Sequence, residues 1–403
     1  MSYPPSSRAS QAGVDGGARI ALVLTGGGAR AAYQVGVLKA LAELYPGPRS
    51  PFDIVVGTSA GGVCAAVLAA HAHDWQDGVA RLEQVWANFT ISQVLRADTR
   101  SMLRAGGRWL LAALSGGRFA RAPRSLFDNS PLRSLLQSRI DWDRVRRNIN
   151  EGHLQALALA ATGYRGGEHH VFFETSTTLD DWRGPHSAGR RERLTLDHLM
   201  ASAAIPFLFP SVRIGTEHYG DGAMRQLTPL SPAIHLGADR LLVIGVRAPD
   251  AAGTGNATER DGPTAGQLFG FMLDTLFGDQ VDADLEVLAR VNRALDSGAV
   301  GERAAELGRG GNPWRRVDAL RLVPREDPRI VAARHFESLP RSLRAFFGLI
   351  GARDRSGGLL ASYLLFESSY TRELIAQGHR DTLAQRERLQ SFFSGRMRSG
   401  DLS

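Results

Sequence analysis

The chain has 403 residues, of which 43% are hydrophobic and 22% are charged, proportions typical of a folded globular protein. This length favours either one large domain with insertions or two domains. No run approaches the roughly 18 consecutive apolar residues of a membrane-spanning helix, and the only cysteine, Cys64, cannot form an internal disulfide. Residues 1–18 are rich in Ser, Pro and Gly and lack an apolar signal core, so we predict a disordered leader and a cytoplasmic protein, with membrane association left open.

The net charge of +7 is unevenly distributed, because the stretch 96–147 contains twelve arginines against four aspartates, a local charge of +8. Nearly all the basic residues are arginines, Lys39 being the only lysine. The planar guanidinium group suits phosphate oxygens, so this stretch is a candidate contact with an anionic membrane. The alternative interpretation is that the whole sequence is biased towards arginine and that the arginines of this stretch lie on ordinary solvent-exposed faces.

The first predicted strand is the apolar run 20–24, and it is followed at once by Gly26, Gly27 and Gly28 and then by a helix up to Leu44. A glycine loop between a strand and a helix exposes backbone N–H groups that can bind an anion. In a dinucleotide-binding fold that anion is a pyrophosphate, and an acid at the end of the second strand binds ribose. Here Asp53 begins the second strand instead, so the loop is better suited to an oxyanion.

The second strand ends in the sequence G-T-S-A-G, from Gly57 to Gly61, directly before an alanine-rich helix. This spacing predicts a sharp turn with Ser59 at its apex, where small neighbours leave the hydroxyl uncovered. The positive end of the helix dipole then favours the negative charge that develops during acyl transfer. We therefore predict that Ser59 is a nucleophile.

Asp221 lies between Gly220 and Gly222, which predicts a turn far downstream of Ser59. An aspartate in such a place is often only a turn former, but Ser59 needs a base. His218, three residues earlier, is the other candidate base. Arg30, beside the glycine loop, could orient the turn at Asp221, contact a substrate phosphate or form a structural salt bridge.

The remaining pattern predicts a three-layer α/β/α domain with a mainly parallel central sheet. We assign the catalytic domain to 19–248, with a helical cap insertion at about 75–150. The part 249–403 is predicted to be mostly helical, to complete the domain and to hold a last strand near 320–323. No metal-ligand cluster or nucleic-acid motif is evident.

Four motifs in order resemble the patatin-like phospholipase family: G-G-G-A-R from Gly26, G-T-S-A-G around Ser59, the block A-S-A-A-I-P from Ala201, and D-G-A from Asp221. The resemblance covers roughly residues 20–246. It implies a serine and aspartate dyad without histidine, in which Ser59 is the nucleophile and Asp221 the base. It also implies an oxyanion hole formed by the backbone N–H groups around Gly26, Gly27 and Gly28, and no metal or other cofactor. We expect supporting roles for the nearby residues Arg30, Gly57, Gly61 and Gly222.

The leading hypothesis is therefore a serine esterase that cleaves acyl esters of lipids, such as phospholipids or lysophospholipids. Acyl transfer to an acceptor other than water would use the same dyad. A lipid-binding or membrane-docking module with an unused serine, and a dinucleotide-binding protein, are the remaining alternatives.

Overall fold

The computed structural model describes residues 17–96, 107, 125–184, 186–249, 262–278, 280–298, 314–352 and 357–396. The predicted leader lies outside these residues except for its last two positions. The middle of the cap insertion and most of the arginine-rich stretch 96–147 up to residue 124 also lie outside them. The membrane contact predicted for that stretch remains a prediction.

The described residues contain one sheet of ten strands. In chain order these are β1 (Ile20–Leu24), β2 (Ile54–Thr58), β3 (Ala156–Gly163), β4 (His169–Thr175), β5 (Trp182–Arg183), β6 (Ser187–Arg191), β7 (Val212–Ile214), β8 (Glu217–Asp221), β9 (Arg240–Ile244) and β10 (Asp318–Leu322).

The sheet is parallel through its centre, in the order β10, β9, β1, β2, β3. The order continues through β4, β6 and β5, with β4 antiparallel to β3 and β8 forming a further antiparallel pair with the end of β3. Central parallel strands are covered on both faces, which explains the uninterrupted apolar runs such as Ile20–Leu24. The predicted α/β class with a mainly parallel sheet is confirmed.

Fourteen α-helices surround the sheet within the described ranges. They are α1 (Ala32–Leu44), α2 (Ala60–Ala70), α3 (Trp75–Trp86), α4 (Ser130–Arg139), α5 (Trp142–Asn150), α6 (Leu196–Ser202), α7 (Ser231–His235), α8 (Ala265–Gly278), α9 (Gln280–Asp296), α10 (Pro328–His335), α11 (Arg341–Leu349), α12 (Gly357–Leu364), α13 (Ser368–Leu383) and α14 (Arg386–Phe393). None of these helices is both long and apolar enough to cross a membrane.

Successive side chains of β1 belong to two separate hydrophobic cores, one on each face of the sheet. Leu22 and Leu24 pack into the larger core, whereas Ala21 and Val23 pack into the smaller one. This alternation is the period-two geometry of a strand between two helical layers. Cys64, on α2, is buried in the larger core, as expected for a small apolar residue.

The C-terminal helix α13 packs directly on α1 through glycines. A Cβ added to Gly36 of α1 would lie 2.0 Å from the carbonyl oxygen of Ile375. A Cβ added to Gly378 of α13 would lie 2.2 Å from the carbonyl oxygen of Tyr33. The two backbones therefore approach closely, which places the C-terminal part against the helix that follows the glycine loop.

Candidate active site

Ser59 occupies a strained turn between β2 and α2, with φ 55° and ψ −125°. Residues other than glycine rarely adopt such a conformation, and it costs about 1–3 kcal/mol. Gly61 permits the turn, because a Cβ there would lie 2.4 Å from the carbonyl oxygen of Leu24. Gly57 is equally crowded, since its added Cβ would lie 2.6 Å from the Cα atom of Gly62. The two glycines flanking Ser59 in the motif therefore meet a steric requirement of this turn.

The structure brings Ser59 and Asp221 together although they are far apart in sequence. The Ser59 hydroxyl donates a hydrogen bond of 2.6 Å to Oδ2 of Asp221. Asp221 ends β8, opposite Ala161 of β3, and both members of the pair are almost completely buried. Gly222 allows the chain to turn there, because a Cβ at this position would lie 2.4 Å from the carbonyl oxygen of Ala160.

Burial raises the pKa of Asp221 from its ordinary value to about 7. Two hydrogen bonds oppose this rise by stabilising the carboxylate: one from the Ser59 hydroxyl and one of 2.9 Å from the N–H of Ala223 to Oδ1. The Thr162 hydroxyl donates 2.9 Å to the carbonyl oxygen of Asp221 and fixes the backbone of the turn. The carboxyl group can therefore exchange a proton near neutral pH, as a general base requires.

Ser202 supports the serine turn, a role that the sequence analysis did not identify. Its hydroxyl accepts a hydrogen bond of 2.9 Å from the N–H of Ser59. Two residues later, the carbonyl oxygen of Ala204 accepts 2.9 Å from the N–H of Asp221. The block that begins at Ala201 therefore contacts both members of the pair. The A-S-A-A-I-P motif was the only sequence signal for this supporting role, because residue spacing alone does not reveal the hydrogen bonds to Ser59 and Asp221.

The glycine loop lies beside Ser59 and continues through a 3-10 turn, Gly28–Ala31, into α1. A Cβ added to Gly26 would lie 3.2 Å from the Cβ of Ser59, and one added to Gly27 would lie 2.4 Å from Val246. Gly28 has a φ of 55°, and its added Cβ would lie 2.2 Å from the carbonyl oxygen of Tyr363. The loop therefore places backbone at the start of a helical segment next to the serine, an arrangement suited to an anion.

Arg30 forms a structural ion pair, one of the three roles that its sequence position left open. Its guanidinium group is buried and lies 3.2 Å from Oδ1 of Asp274 on α8. It also donates 2.8 Å to the Tyr363 hydroxyl and 2.8 Å to the Ser362 hydroxyl, both on α12. Arg30 thus joins the glycine loop to two C-terminal helices through its Nε and Nη1 atoms.

His218, the other candidate base, lies on the exposed side of β8. Its Nδ1 atom is 3.4 Å from the Ser211 hydroxyl, whereas Asp221 holds the short hydrogen bond with Ser59. The geometry therefore favours the aspartate.

A narrow apolar cavity opens beside Ser59. Besides Ser59 it is lined by Gly28, Ala60, Val63, Trp86, Phe89, Val94, Leu132, Ala203, Ile205, Phe209 and Phe366. The residues from α3 to α4 belong to the predicted cap, and Phe366 belongs to the C-terminal part. An apolar lining of this kind suits a hydrocarbon chain, with the serine hydroxyl as the polar group at its wall.

Within the described residues, no three His, Cys, Asp or Glu side chains are grouped so that they could hold a metal ion. The site combines a buried serine, a carboxyl group that titrates near neutrality, and the adjacent backbone of the glycine loop.

Comparison with known proteins finds a matching family model and, among the similar solved structures, VipD and ExoU. Residues 22–234 match the family model described as patatin-like phospholipase. VipD from Legionella pneumophila aligns at 13% identity and a TM-score of 0.31, over 89% of this chain and 66% of that chain, which is just under two thirds. ExoU, solved with SpcU from the type III secretion system of Pseudomonas aeruginosa, aligns at 16% identity and a TM-score of 0.25, over 92% of this chain and 76% of the other. A search of curated proteins finds no match. Because the family model spans more than half of the chain, this protein belongs to the patatin-like phospholipase family.

Proposed function

We propose that this protein is a serine lipid acyl hydrolase of the phospholipase A or lysophospholipase type. The observation that carries the proposal is the hydrogen bond of 2.6 Å between the Ser59 hydroxyl and Asp221, at the wall of an apolar cavity. Membership of the family supports lipid hydrolase activity, and a pKa of about 7 suits Asp221 to proton transfer near neutral pH.

In the first half-reaction the Ser59 hydroxyl gives its proton to Asp221 while Oγ attacks the acyl carbonyl carbon of the lipid. The resulting oxyanion would accept hydrogen bonds from the backbone N–H groups around Gly26, Gly27 and Gly28. When the tetrahedral intermediate collapses, the bond to the alcohol oxygen breaks. Asp221 returns its proton to that oxygen, and the acyl group remains on Ser59.

In the second half-reaction Asp221 takes a proton from water, whose oxygen attacks the acyl-serine carbonyl. Collapse of the second intermediate releases the fatty acid, and the proton on Asp221 returns to Oγ of Ser59. The apolar cavity lined by Trp86, Phe89 and Phe209 would hold the hydrocarbon chain during both steps.

The test combines a fluorophosphonate, which captures activated serines, with an assay for fatty acid released from phospholipid and lysophospholipid. Wild type should gain one adduct by intact mass and release fatty acid, whereas Ser59→Ala should do neither. Ser176→Ala, at an exposed serine away from the site, is the matched control and should behave as wild type. A folded wild type that gains no adduct and releases no fatty acid would refute the proposal.

Product analysis separates hydrolysis from acyl transfer. With an added alcohol acceptor, a hydrolase yields mainly free fatty acid, whereas a transferase yields mainly the new ester.

A further inference from the structure

The described surface carries a group of exposed apolar side chains from three separate parts of the chain: Phe207, Leu349, and Leu268, Phe271 and Met272 of α8. We call this group the apolar rim. Phe207 is 63% exposed, Phe271 is 67% exposed and Leu349 is 84% exposed. Contiguous exposed apolar residues usually mark an interaction surface, whereas single ones need no explanation.

Phe207 lies in sequence between two residues of the active-site cavity but does not itself line that cavity. Its neighbours Ile205 and Phe209 both line the cavity beside Ser59. Phe207 has a φ of 65°, and it is the only residue besides Ser59, apart from glycines, with a positive φ in the described chain. A positive φ is unfavourable for an aromatic residue, so the fold holds an exposed ring on a strained stretch of backbone next to two cavity residues.

Contacts along the surface connect Phe207 to helix α11. The carbonyl oxygen of Phe207 accepts a hydrogen bond of 2.7 Å from the N–H of Leu126. The next residue, Phe127, packs its ring 5.9 Å from that of Phe346 on α11. Leu349 lies one turn further along α11, so these contacts link the segment of Phe207 to the part of the helix that exposes Leu349.

Helix α11 exposes one stripe of residues at a spacing of four: Arg341, Ala345 and Leu349. The stripe combines a cation with apolar groups and contains no acid. Such a face is typical of helices that lie in the interface of an anionic membrane, where arginine reaches the headgroups.

Helix α8 adjoins the end of α11, because the N–H of Gly266 donates 2.7 Å to the carbonyl oxygen of Ile350. Its exposed face carries Leu268, Phe271 and Met272 and no charged residue. The one charged side chain of the helix, Asp274, faces inward to Arg30. The outer face of α8 thus adjoins the stripe of α11, and neither face contains an acidic residue.

We propose that the apolar rim docks this protein on an anionic phospholipid bilayer. This inference rests on the proposed function, since a lipid hydrolase must receive its substrate from a lipid phase. Four observations favour a bilayer: exposed aromatic and aliphatic side chains, an exposed ring held on a strained backbone next to cavity residues, the absence of acids from the outward faces of α8 and α11, and the cation at Arg341. The segment hydrogen-bonded to Phe207 also belongs to the stretch 96–147, whose sequence carries a net charge of +8.

The experiment measures binding to vesicles of phosphatidylcholine mixed with phosphatidylglycerol, and to vesicles of phosphatidylcholine alone. The rim variant combines Phe207→Asn, Phe271→Ser and Leu349→Ser, with asparagine at position 207 because it tolerates a positive φ. The matched control combines Val287→Ser and Ile330→Ser, which are 54% and 56% exposed and lie on other helices.

We expect wild type and the control variant to bind the anionic vesicles more tightly than the neutral ones. The rim variant should bind the anionic vesicles at least about tenfold more weakly, because three large apolar side chains are lost from the interface. It should also lose hydrolysis of vesicle phospholipid while retaining fluorophosphonate labelling and hydrolysis of a short water-soluble ester.

Three results would overturn the docking surface: a wild type that binds neither vesicle, a rim variant that binds as wild type does, or an equal loss of binding in the control variant. Equal binding to neutral and anionic vesicles would overturn the charge preference. Failure of the proposed function gives a different pattern, in which wild type binds vesicles through the rim but gains no adduct on Ser59 and releases no fatty acid.

Discussion

Two buried carboxyl groups lie near the glycine loop, and they have opposite surroundings. Asp274 has the guanidinium group of Arg30 at 3.2 Å, that of Arg247 at 3.8 Å and the Tyr363 hydroxyl at 2.9 Å. The carboxyl group of Asp221 is fully buried, accepts hydrogen bonds from Ser59 and Ala223, and is paired with no cation among the described residues. The same side chain therefore serves as the partner of two guanidinium groups in one place and as a group that gains and loses a proton in the other. The contacts around each carboxyl group, rather than burial alone, decide the difference.

The comparison predicts its largest effect on activity at Asp221. In Asp221→Asn the side chain keeps its size but can no longer accept a proton, so we expect ester hydrolysis to fall about a thousandfold or more. Steady-state assays with a short-chain ester would measure the loss, and a cooperative thermal transition would show that the variant is folded. Substantial activity in Asp221→Asn would contradict the proposed dyad, and His218→Gln would then test the alternative base.

At Asp274 the prediction concerns stability. Arg30→Met leaves Asp274 buried without its main partner, which should lower the free energy of unfolding by about 3–5 kcal/mol. Urea denaturation would measure the change. Arg290→Met is the matched control, because Arg290 forms an exposed pair with Glu286, and its removal should change stability by about 1 kcal/mol or less. If Arg30→Met and Arg290→Met lost equal stability, the structural role that we assign to the pair of Arg30 and Asp274 would be wrong.

The pKa of Asp221 predicts how both activity and stability depend on pH. Only the ionised form can accept the Ser59 proton, so hydrolysis should rise with pH and reach half of its maximum near pH 7. A pH series of kcat/KM would measure this, and a half-maximum near the ordinary aspartate pKa of about 4 would contradict the burial argument.

The pKa of Asp221 is about 7 in the folded protein and about 4 in the unfolded chain. Above about pH 4 the carboxyl group therefore ionises more readily in the unfolded chain, and this difference lowers the stability of the folded state until about pH 7. Wild type should therefore lose thermal stability relative to Asp221→Asn as pH rises between these values, and lose no more above them. A stability difference that does not depend on pH would contradict the raised pKa.

The smallest predicted effect separates the strain at Ser59 from its chemistry. Ser59→Ala and Ser59→Gly both remove the hydroxyl, but only glycine adopts the backbone conformation at this position without strain. We expect Ser59→Gly to be about 1 kcal/mol more stable than Ser59→Ala in urea denaturation, although both should be inactive. An alanine variant that is the more stable of the two would indicate that the turn stores no strain.

Local signals made the beginning of the site predictable from sequence. A buried strand followed by glycines, and a second strand followed by the serine turn, are patterns within about ten residues that sterics dictate. The base that pairs with Ser59 was harder to predict, because Asp221 lies 162 positions away and an aspartate between glycines commonly forms an ordinary turn. Resemblance to a family, rather than spacing, favoured it over His218.

The support around the site was beyond the sequence. Ser202 and Asp274 lie 143 positions from Ser59 and 244 positions from Arg30, respectively, and no local pattern encodes such pairs. Arg30 shows the limit clearly, because the residue was visible beside the loop while its role depended on two distant helices.

The contact of Gly28 with the backbone of Tyr363 bears on how this protein can evolve and be divided. The segment that matches the family model ends at residue 234. Gly28, in the loop beside Ser59, nevertheless packs against the carbonyl group of Tyr363, which lies nearly 130 positions beyond that end. The end of the family match therefore falls inside what we expect to be one cooperative folding unit. A fragment cut at that boundary would retain Ser59 and Asp221 but lose β9, β10 and the helices behind the loop. Exchange of C-terminal halves between relatives should accordingly succeed only when the residues around the glycine loop are exchanged with them.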